Sequence, residues 1–213
     1  MQIERAFRFP FEGNGLGLVL IGGLINLVPI LNFLCLGYAV EVMERVNNGR
    51  YDMPSWNGWG RKFVKGLGYL AISLFYLLIP LVILLGSCAG GSATRHNTLM
   101  PVFGSLGLLG LLLLLAFGFL VPMSLARYAA TGSLAEGFRV GTVIKHIGAV
   151  AGGYVAAYLL SVAVYFGIGV VTIAIPFLGS ILSIFLAFYA YVVVAALFAD
   201  VHRKAVSALA SSG

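Results

Sequence analysis

Val102–Ala126 reads VFGSLGLLGLLLLLAFGFLVPMSLA and carries no charged residue before the chain reaches Arg127. The hydrocarbon core of a bilayer is about 30 Å thick, so a helix needs about 20 apolar residues to cross it. This stretch exceeds that length, and a water-soluble fold would have no place to bury it. The sequence therefore predicts a transmembrane helix here.

Three further segments meet the same criterion: Gly66–Leu85, Ile147–Ile175 and Phe177–Ala199. The whole chain is 61% hydrophobic and only 9% charged, whereas soluble domains carry about 25% charged residues. The bilayer must then act as the solvent for most of the surface. We predict an all-α fold, a polytopic transmembrane helix bundle forming a single integral membrane domain over residues 1–213.

Lys and Arg fix the predicted threading. Of the 13 basic residues, all except Arg95 fall in the N-terminus, residues 44–65, residues 127–146 or the C-terminal tail. Two spans separate each of the last three regions from the next, and basic loops stay in the cytoplasm. We expect both termini on the cytoplasmic side of the plasma (inner) membrane. The net charge of +6 then faces anionic lipid headgroups, and we expect no nucleic-acid partner.

The remaining apolar region, Gly15–Val42, is ambiguous because Asn26, Pro29 and Asn32 interrupt it. The basic N-terminus favours a helical hairpin with its tip at Pro29. The first arm, Gly15–Val28, would rise only about 21 Å as a helix, so the hairpin would be re-entrant. The alternative is a single helix kinked at Pro29, with the N-terminus outside. The hairpin gives six membrane segments in all.

A weak internal repeat supports the hairpin. Ala6–Phe9 resembles Gly137–Val140, and the apolar stretch after each reaches a similar tip, Val28–Asn32 in one case and Ile175–Gly179 in the other. The second copy is predicted to be two helices, so by analogy the first is too. Such repeats are common in membrane folds, transporters among them.

Residues 133–146 predict an amphipathic helix in the cytoplasmic interface, with Ser133 and Glu136 spaced as a capping box. Leu134, Phe138 and Ile144 would face lipid. The predicted layout is an N-terminal interfacial segment and hairpin (1–46), a cytoplasmic loop (47–65), two transmembrane helices (66–128), the interfacial helix (129–146), a transmembrane hairpin (147–204) and a tail (205–213).

Glycines recur at short spacing in the helices, a pattern that lets helix backbones approach closely in lipid. The spaced glycines are Gly86 and Gly90, then Gly104, Gly107 and Gly110, then Gly148 and Gly152. Close packing within the chain is the preferred interpretation, and an interface with another chain is the alternative.

The first cytoplasmic loop carries the most specific motif. Gly49–Gly60 reads GRYDMPSWNGWG, and Phe63–Leu67 reads FVKGL. This resembles an uncharacterised prokaryotic multipass membrane family, domain of unknown function 4013, whose loop has the form Gly-x-x-x-Leu-Pro-x-Trp-x-x-Trp-Gly followed by an apolar pair and Gly-Leu. Tyr76–Pro80, Gly37–Tyr38 and Arg127–Ala129 also resemble the family.

The resemblance implies a multipass fold and no established activity. The family often places acidic residues around the two tryptophans, whereas this chain has Asn57 and Gly58 there, followed by Arg61 and Lys62. A role that needs negative charge in this loop does not carry over.

Apart from the resemblance, indole rings prefer the headgroup level, so Trp56 and Trp59 predict membrane anchoring. The alternative is a platform for a partner protein. We hypothesise that the loop and the helix at 133–146 form one cytoplasmic face that docks a partner or the lipid surface. The candidate docking residues are Trp56, Trp59, Arg61, Lys62, Phe138 and Arg139.

The ionisable residues show no catalytic pattern. An ion pair with Arg45 accounts for Glu41, and one with Lys204 accounts for Asp200, each at i,i+4 spacing. The three histidines, His96, His146 and His202, lack metal-ligand spacing, and Cys35 and Cys88 predict unpaired, buried thiols. We expect no enzyme, no catalytic residue, no metal and no cofactor.

Two functional classes remain. The first is a structural or accessory subunit of a larger membrane complex, or a homo-oligomer, which the glycine-rich helices and the tryptophan loop favour. The second is a small-solute transporter or channel with its site at Asn26, Pro29 and Asn32, because transporters bind substrate beside broken helices. Helix capping by the two asparagines is the simpler account of those residues.

Overall fold

The computed structural model describes residues 2–93 and 99–211, and all regular structure in those two stretches is helical. The predicted outer-loop residues Arg95 and His96 lie outside them. The helices are α1 (Ile3–Arg8), α2 (Gly15–Asn26), α3 (Asn32–Asn47), α4 (Trp59–Ala93), α5 (Met100–Thr131), α6 (Leu134–Phe138), α7 (Val140–Ala149), α8 (Ala151–Ala174) and α9 (Pro176–Ser211), with a 3-10 turn at Phe9–Phe11.

Helices α4, α5, α8 and α9 are long and apolar enough to cross a membrane. Their most apolar windows have mean hydropathies of 2.0 to 2.5. Helices α4, α5 and α9 contain three of the predicted spans, whereas the predicted span Ile147–Ile175 begins in α7 and is interrupted at Val150 before α8. The prediction of an all-helical chain with four spans of membrane-crossing length is therefore confirmed. Helix α2, with 12 residues, would rise only about 18 Å and is too short to cross alone.

Helices α4 and α5 form an antiparallel pair. A Cβ on Gly110 would lie 2.8 Å from the Leu84 backbone, and one on Gly107 would lie 3.0 Å from Ser87 Oγ. The glycines thus allow close packing. Helix α5 ends at Gly132, whose φ of 68° is left-handed and whose N–H donates to the Tyr128 carbonyl at 2.9 Å.

The predicted packing role of the spaced glycines holds for some of them and not for others. Gly90 also packs inside, because a Cβ there would meet the Phe103 ring. The glycines with open space where a Cβ would be are Gly86, Gly104, Gly148 and Gly152.

Helix α3 crosses α4 with the two backbones in direct contact. A Cβ on Gly37 would overlap the Lys62 carbonyl, and a Cβ on Gly66 would overlap the Phe33 carbonyl. Because both obstacles are backbone atoms, no side-chain rotation can make room for a larger residue. Two glycines, one on each helix, therefore set the distance between α3 and α4.

The first apolar region consists of two helices that turn back at residues 27–31. The Cys35 thiol of α3 donates to the Gly22 carbonyl of α2 at 3.5 Å, whereas residues 13 apart along one helix would be about 20 Å apart. On its other side, Gly22 packs against the Phe188 ring of α9. Between Gly15 and Asn47 the chain thus forms two separate helices, joined at residues 27–31.

The predicted helix at 133–146 is broken into α6 and α7 at Arg139, whose ψ of 77° is not helical. The capping box is also wrong, because the Ser133 side chain makes no capping hydrogen bond. The Glu136 carboxylate instead pairs with Arg127 and, at 2.7 Å, with Arg139. Two guanidinium groups are stronger partners for a carboxylate than one backbone N–H.

Candidate functional site

The tryptophan loop between α3 and α4 is fastened by Trp56. Its ring stacks on Tyr38, with centroids 4.5 Å apart, and lies 5.6 Å from the Phe188 ring. Its indole N–H donates to the Leu18 carbonyl at 3.1 Å, and the Tyr38 hydroxyl donates to the Pro54 carbonyl at 2.6 Å. At 8% exposure, Trp56 joins α2, α3 and α9 and is not a headgroup anchor.

Glu41 is buried beside the loop and pairs with three cations from the start of α4. Its carboxylate accepts from Lys62 at 2.6 Å, from Arg61 at 3.0 Å and from Lys65 at 3.4 Å. The predicted i,i+4 pair with Arg45 is wrong, because Arg45 binds Asp52 instead. The longer reach to α4 is favoured because it gives a buried carboxylate several partners at once.

The Glu41 carboxylate is ionised in this environment. Burial would by itself raise the pKa of Glu41, but the hydrogen bond from Lys62 and the charges of Lys62 and Lys65 lower it below its usual value. Lys62 is only 1% exposed and also donates to the Asn57 carbonyl at 2.9 Å. The Lys62–Glu41 ion pair and the hydrogen bond from Lys62 to Asn57 thus connect α3, the tryptophan loop and α4.

A second buried carboxylate, Asp200 of α9, connects the two ends of the chain. It accepts from the Tyr51 hydroxyl at 2.9 Å and from the Gln2 backbone N–H at 3.1 Å. Arg203 lies 2.9 Å away, and Lys204 lies 3.6 Å away as the i,i+4 spacing predicted. The contacts of the Asp200 carboxylate thus hold the tryptophan loop and the N-terminal residues against α9.

No sequence pattern predicts the contact between His146 and His202. Their rings stack with centroids 5.5 Å apart and an angle of 7° between planes. His202 Nδ1 donates to Asn47 at 2.9 Å, while the Asn47 amide donates to the Ala126 carbonyl at 3.2 Å. The topology places both histidines at segment ends near Arg127, but residue spacing cannot show that α7 and α9 touch.

His146 has both ring nitrogens occupied. Nδ1 lies 2.8 Å from the Thr142 carbonyl, so Nδ1 donates, and Nε2 accepts from Arg127 at 3.1 Å. Burial lowers the pKa of His146, and the nearby charges of Arg127 and Lys145 lower it further. A neutral imidazole with no free nitrogen is a structural link rather than a ligand. Within residues 2–93 and 99–211, no group of three His, Cys, Asp or Glu side chains could hold a metal.

The six candidate docking residues do not form one patch. Trp56 and Lys62 are buried, and Phe138 is half-buried with its ring 4.9 Å from that of Phe75. Phe75 lies 16 residues after Trp59, about 24 Å along α4. The residues that remain exposed are Trp59, Arg61 and Arg139.

The structure does not show the helix capping that was the simpler interpretation of Asn26 and Asn32. The amide oxygens of Asn26 and Asn32 are buried and accept no hydrogen bond from the described residues. Asn32 begins α3, but Leu31 is its N-cap and no side chain caps the helix. Of the two cysteines, Cys35 is buried as predicted, whereas Cys88 is exposed.

The motif residues that carried the family resemblance are used for packing. Gly37 and Gly66 form the helix crossing, and Trp56 forms the aromatic stack. Tyr76 donates its hydroxyl to the Gly137 carbonyl at 3.0 Å, and Arg127 holds Glu136 and His146. The motif therefore specifies how α3, α4, α5 and α6 fit together.

Comparison with known proteins agrees with the motif. No curated protein and no solved structure matches this chain. The model of one family, described as proteins of unknown function, matches residues 21–177, from within α2 to the start of α9. The matched region includes the tryptophan loop, the α3–α4 crossing, and Arg127 with its partners Glu136 and His146. The chain belongs to the DUF4013 family.

Proposed function

We propose that this chain is a non-enzymatic structural or accessory subunit that joins another membrane protein, or another copy of itself, through α8. The supporting observation is a stripe of small residues on α8, spaced alternately by four and seven positions. All of them are exposed: Gly152, Ala156, Ala163, Gly167 and Ala174. At 3.6 residues per turn this spacing keeps them on one face of the helix.

The opposite face of α8 is the one that packs within the chain. Tyr154 and Ala157 are fully buried, and Tyr154 stacks edge-on against Phe119 of α5. In lipid, helices associate where small side chains let backbones approach, because apolar surface alone gives no preference for protein over lipid. A seven-residue repeat of small residues suits a second helix packed at a small crossing angle.

Replacing Gly167 with leucine should separate the protein from its partner. The new side chain would stand on the stripe and hold an incoming helix away from α8. The matched control is Gly169→Leu, which also has open space around its Cβ position but lies outside the stripe. Gentle extraction from the native membrane, followed by mass and composition analysis, should give a smaller particle for Gly167→Leu alone.

A particle of the same mass for both variants would contradict the proposal. A lone monomer in the unsubstituted protein would instead favour the transport function at Asn26, Pro29 and Asn32. The unpartnered amide oxygens of Asn26 and Asn32 are the observation behind that second candidate, because an unsatisfied buried polar group is costly and calls for a water or solute partner. Swelling of proteoliposomes in glycerol, with and without Asn26→Leu, tests it.

We further propose that α2 and α3 form a re-entrant hairpin and that both termini are cytoplasmic. Helix α2 is too short to cross the membrane alone. Pro29 lies in the turn between α2 and α3, just as Pro176 lies at the junction of α8 and α9. With the four spans, the hairpin gives six membrane segments. Trp59, Arg61 and Arg139 are then exposed on the cytoplasmic side, where basic residues and indole rings meet lipid headgroups.

A cysteine at position 2 should be protected from an impermeant maleimide in intact cells. In a Cys88→Ser background, Gln2→Cys should react only after the membrane is opened, because the basic N-terminus remains inside. Ser92→Cys, exposed at the far end of α4, is the control and should react in intact cells. Labelling of Gln2→Cys from outside would rule out the proposed orientation.

A further inference from the structure

Two adjoining cavities open between the end of α3 and the start of α4. The first, about 210 Å³, is lined by Glu41, Glu44, Arg45, Asn48, Arg50, Arg61 and Lys65. The second, about 380 Å³, shares Glu44, Arg61 and Lys65 and continues past Val64 to Tyr128 and Gly132. We propose that together they bind the phosphate headgroup of an anionic phospholipid.

The lining of the smaller cavity is cationic. It contains four basic side chains and two carboxylates, and the carboxylates are already engaged inside the protein. Glu41 is held by buried Lys62, and Glu44 accepts from Lys65 at 2.6 Å. The positive charge that is left over faces the cavity, which is where an anion would be attracted.

Two guanidinium groups remain available for a ligand. Arg50 is exposed and has no side-chain partner among the residues that the structure describes. Arg61 uses only its Nε toward Glu41, and its side chain is 68% exposed. Guanidinium groups bind phosphate oxygens through short, often paired hydrogen bonds, which makes arginine the preferred residue for phosphate recognition.

An apolar stripe leads away from the cavities along α4. Val64, Leu67, Leu74 and Leu78 follow one another at helical spacings, and each is exposed by between 43% and 65%. The stripe runs from the larger cavity into the part of α4 that is long and apolar enough to cross a membrane. A headgroup site that continues into an exposed apolar track fits a lipid better than a free anion, because acyl chains can lie along the track.

Retention of phosphatidylglycerol by the purified protein tests this assignment. The protein in neutral detergent is titrated with dioleoyl phosphatidylglycerol or dioleoyl phosphatidylcholine, and bound lipid is measured by native mass spectrometry. We expect phosphatidylglycerol to bind at least about tenfold more tightly than phosphatidylcholine. Phosphatidylglycerol carries a net negative charge, whereas phosphatidylcholine has no net charge. The double variant Arg50→Gln/Arg61→Gln should lose that preference.

Lys145→Gln is the matched control, because Lys145 is also an exposed basic residue but lines neither cavity. It should keep the preference for phosphatidylglycerol. Equal binding of the two lipids, or equal loss in both variants, would overturn the proposal. Competition by inorganic phosphate at constant ionic strength would assign the site to a free anion and overturn the lipid assignment as well.

Discussion

Lys62→Met should destabilise the folded protein by about 3–5 kcal/mol, the usual cost of removing one partner from a buried ion pair. Lys62 is 1% exposed, and its amino group lies 2.6 Å from Glu41. Methionine fills a similar volume but leaves the carboxylate in place without its closest cation. The measurement is the thermal midpoint in detergent, which should fall by roughly 2–4 °C for each kcal/mol in a chain of this size.

Two further variants separate the buried charge from general disturbance of the loop. Glu41→Gln/Lys62→Met removes both charges and should recover most of the lost stability, because no buried carboxylate is then left without its closest cation. Arg61→Gln removes another partner of Glu41, but one whose side chain is 68% exposed, so its effect should stay within about 1 kcal/mol. Equal losses for Lys62→Met and Arg61→Gln would show that burial does not govern this cluster.

The sequence predicted the helical spans because a long uncharged stretch is a local property. The span around Val102–Ala126 needs no knowledge of other residues, and α5 contains it with a few residues added at each end. Positive charge at Arg127 marked its end for the same reason. Such features depend on the contact between one segment and the bilayer, which composition describes directly.

The polar contacts could not be predicted in the same way. The spacing rule assigned Glu41 to Arg45, four residues away, whereas the structure gives it Lys62, on another helix. Trp56 was assigned to the membrane surface because indole rings favour it, yet the loop folds the ring onto Tyr38. Sequence spacing describes neighbours on one helix, and these contacts arise only where α3 crosses α4.

The family motif shows the same limit. Gly66 belongs to a recognisable sequence pattern, but the pattern does not reveal that the residue faces the Phe33 carbonyl of α3. Glycine is required at position 66 because the backbones of α3 and α4 lie in contact there. The motif is therefore explained by packing, and the α8 stripe, not the tryptophan loop, carries the proposed function.

Gly66→Ala should be among the most destabilising single-methyl changes in this protein, with a loss of about 3 kcal/mol or more. Overpacking usually costs 1–3 kcal/mol when side chains can rearrange. Here the added Cβ would overlap a backbone carbonyl, so α3 and α4 must move apart. That movement would also disturb the Lys62–Glu41 pair, which spans the same two helices.

Gly86→Ala is the matched control because Gly86 lies on the same helix, α4, with open space where the Cβ would be. Alanine favours helix over glycine by about 0.5–1 kcal/mol, so this variant should be as stable as the unsubstituted protein or slightly more so. The two variants thus add the same methyl group to one helix with opposite effects on the thermal midpoint. A Gly66→Ala protein as stable as Gly86→Ala would mean that α3 and α4 are not in backbone contact, and the packing explanation of the motif would fail.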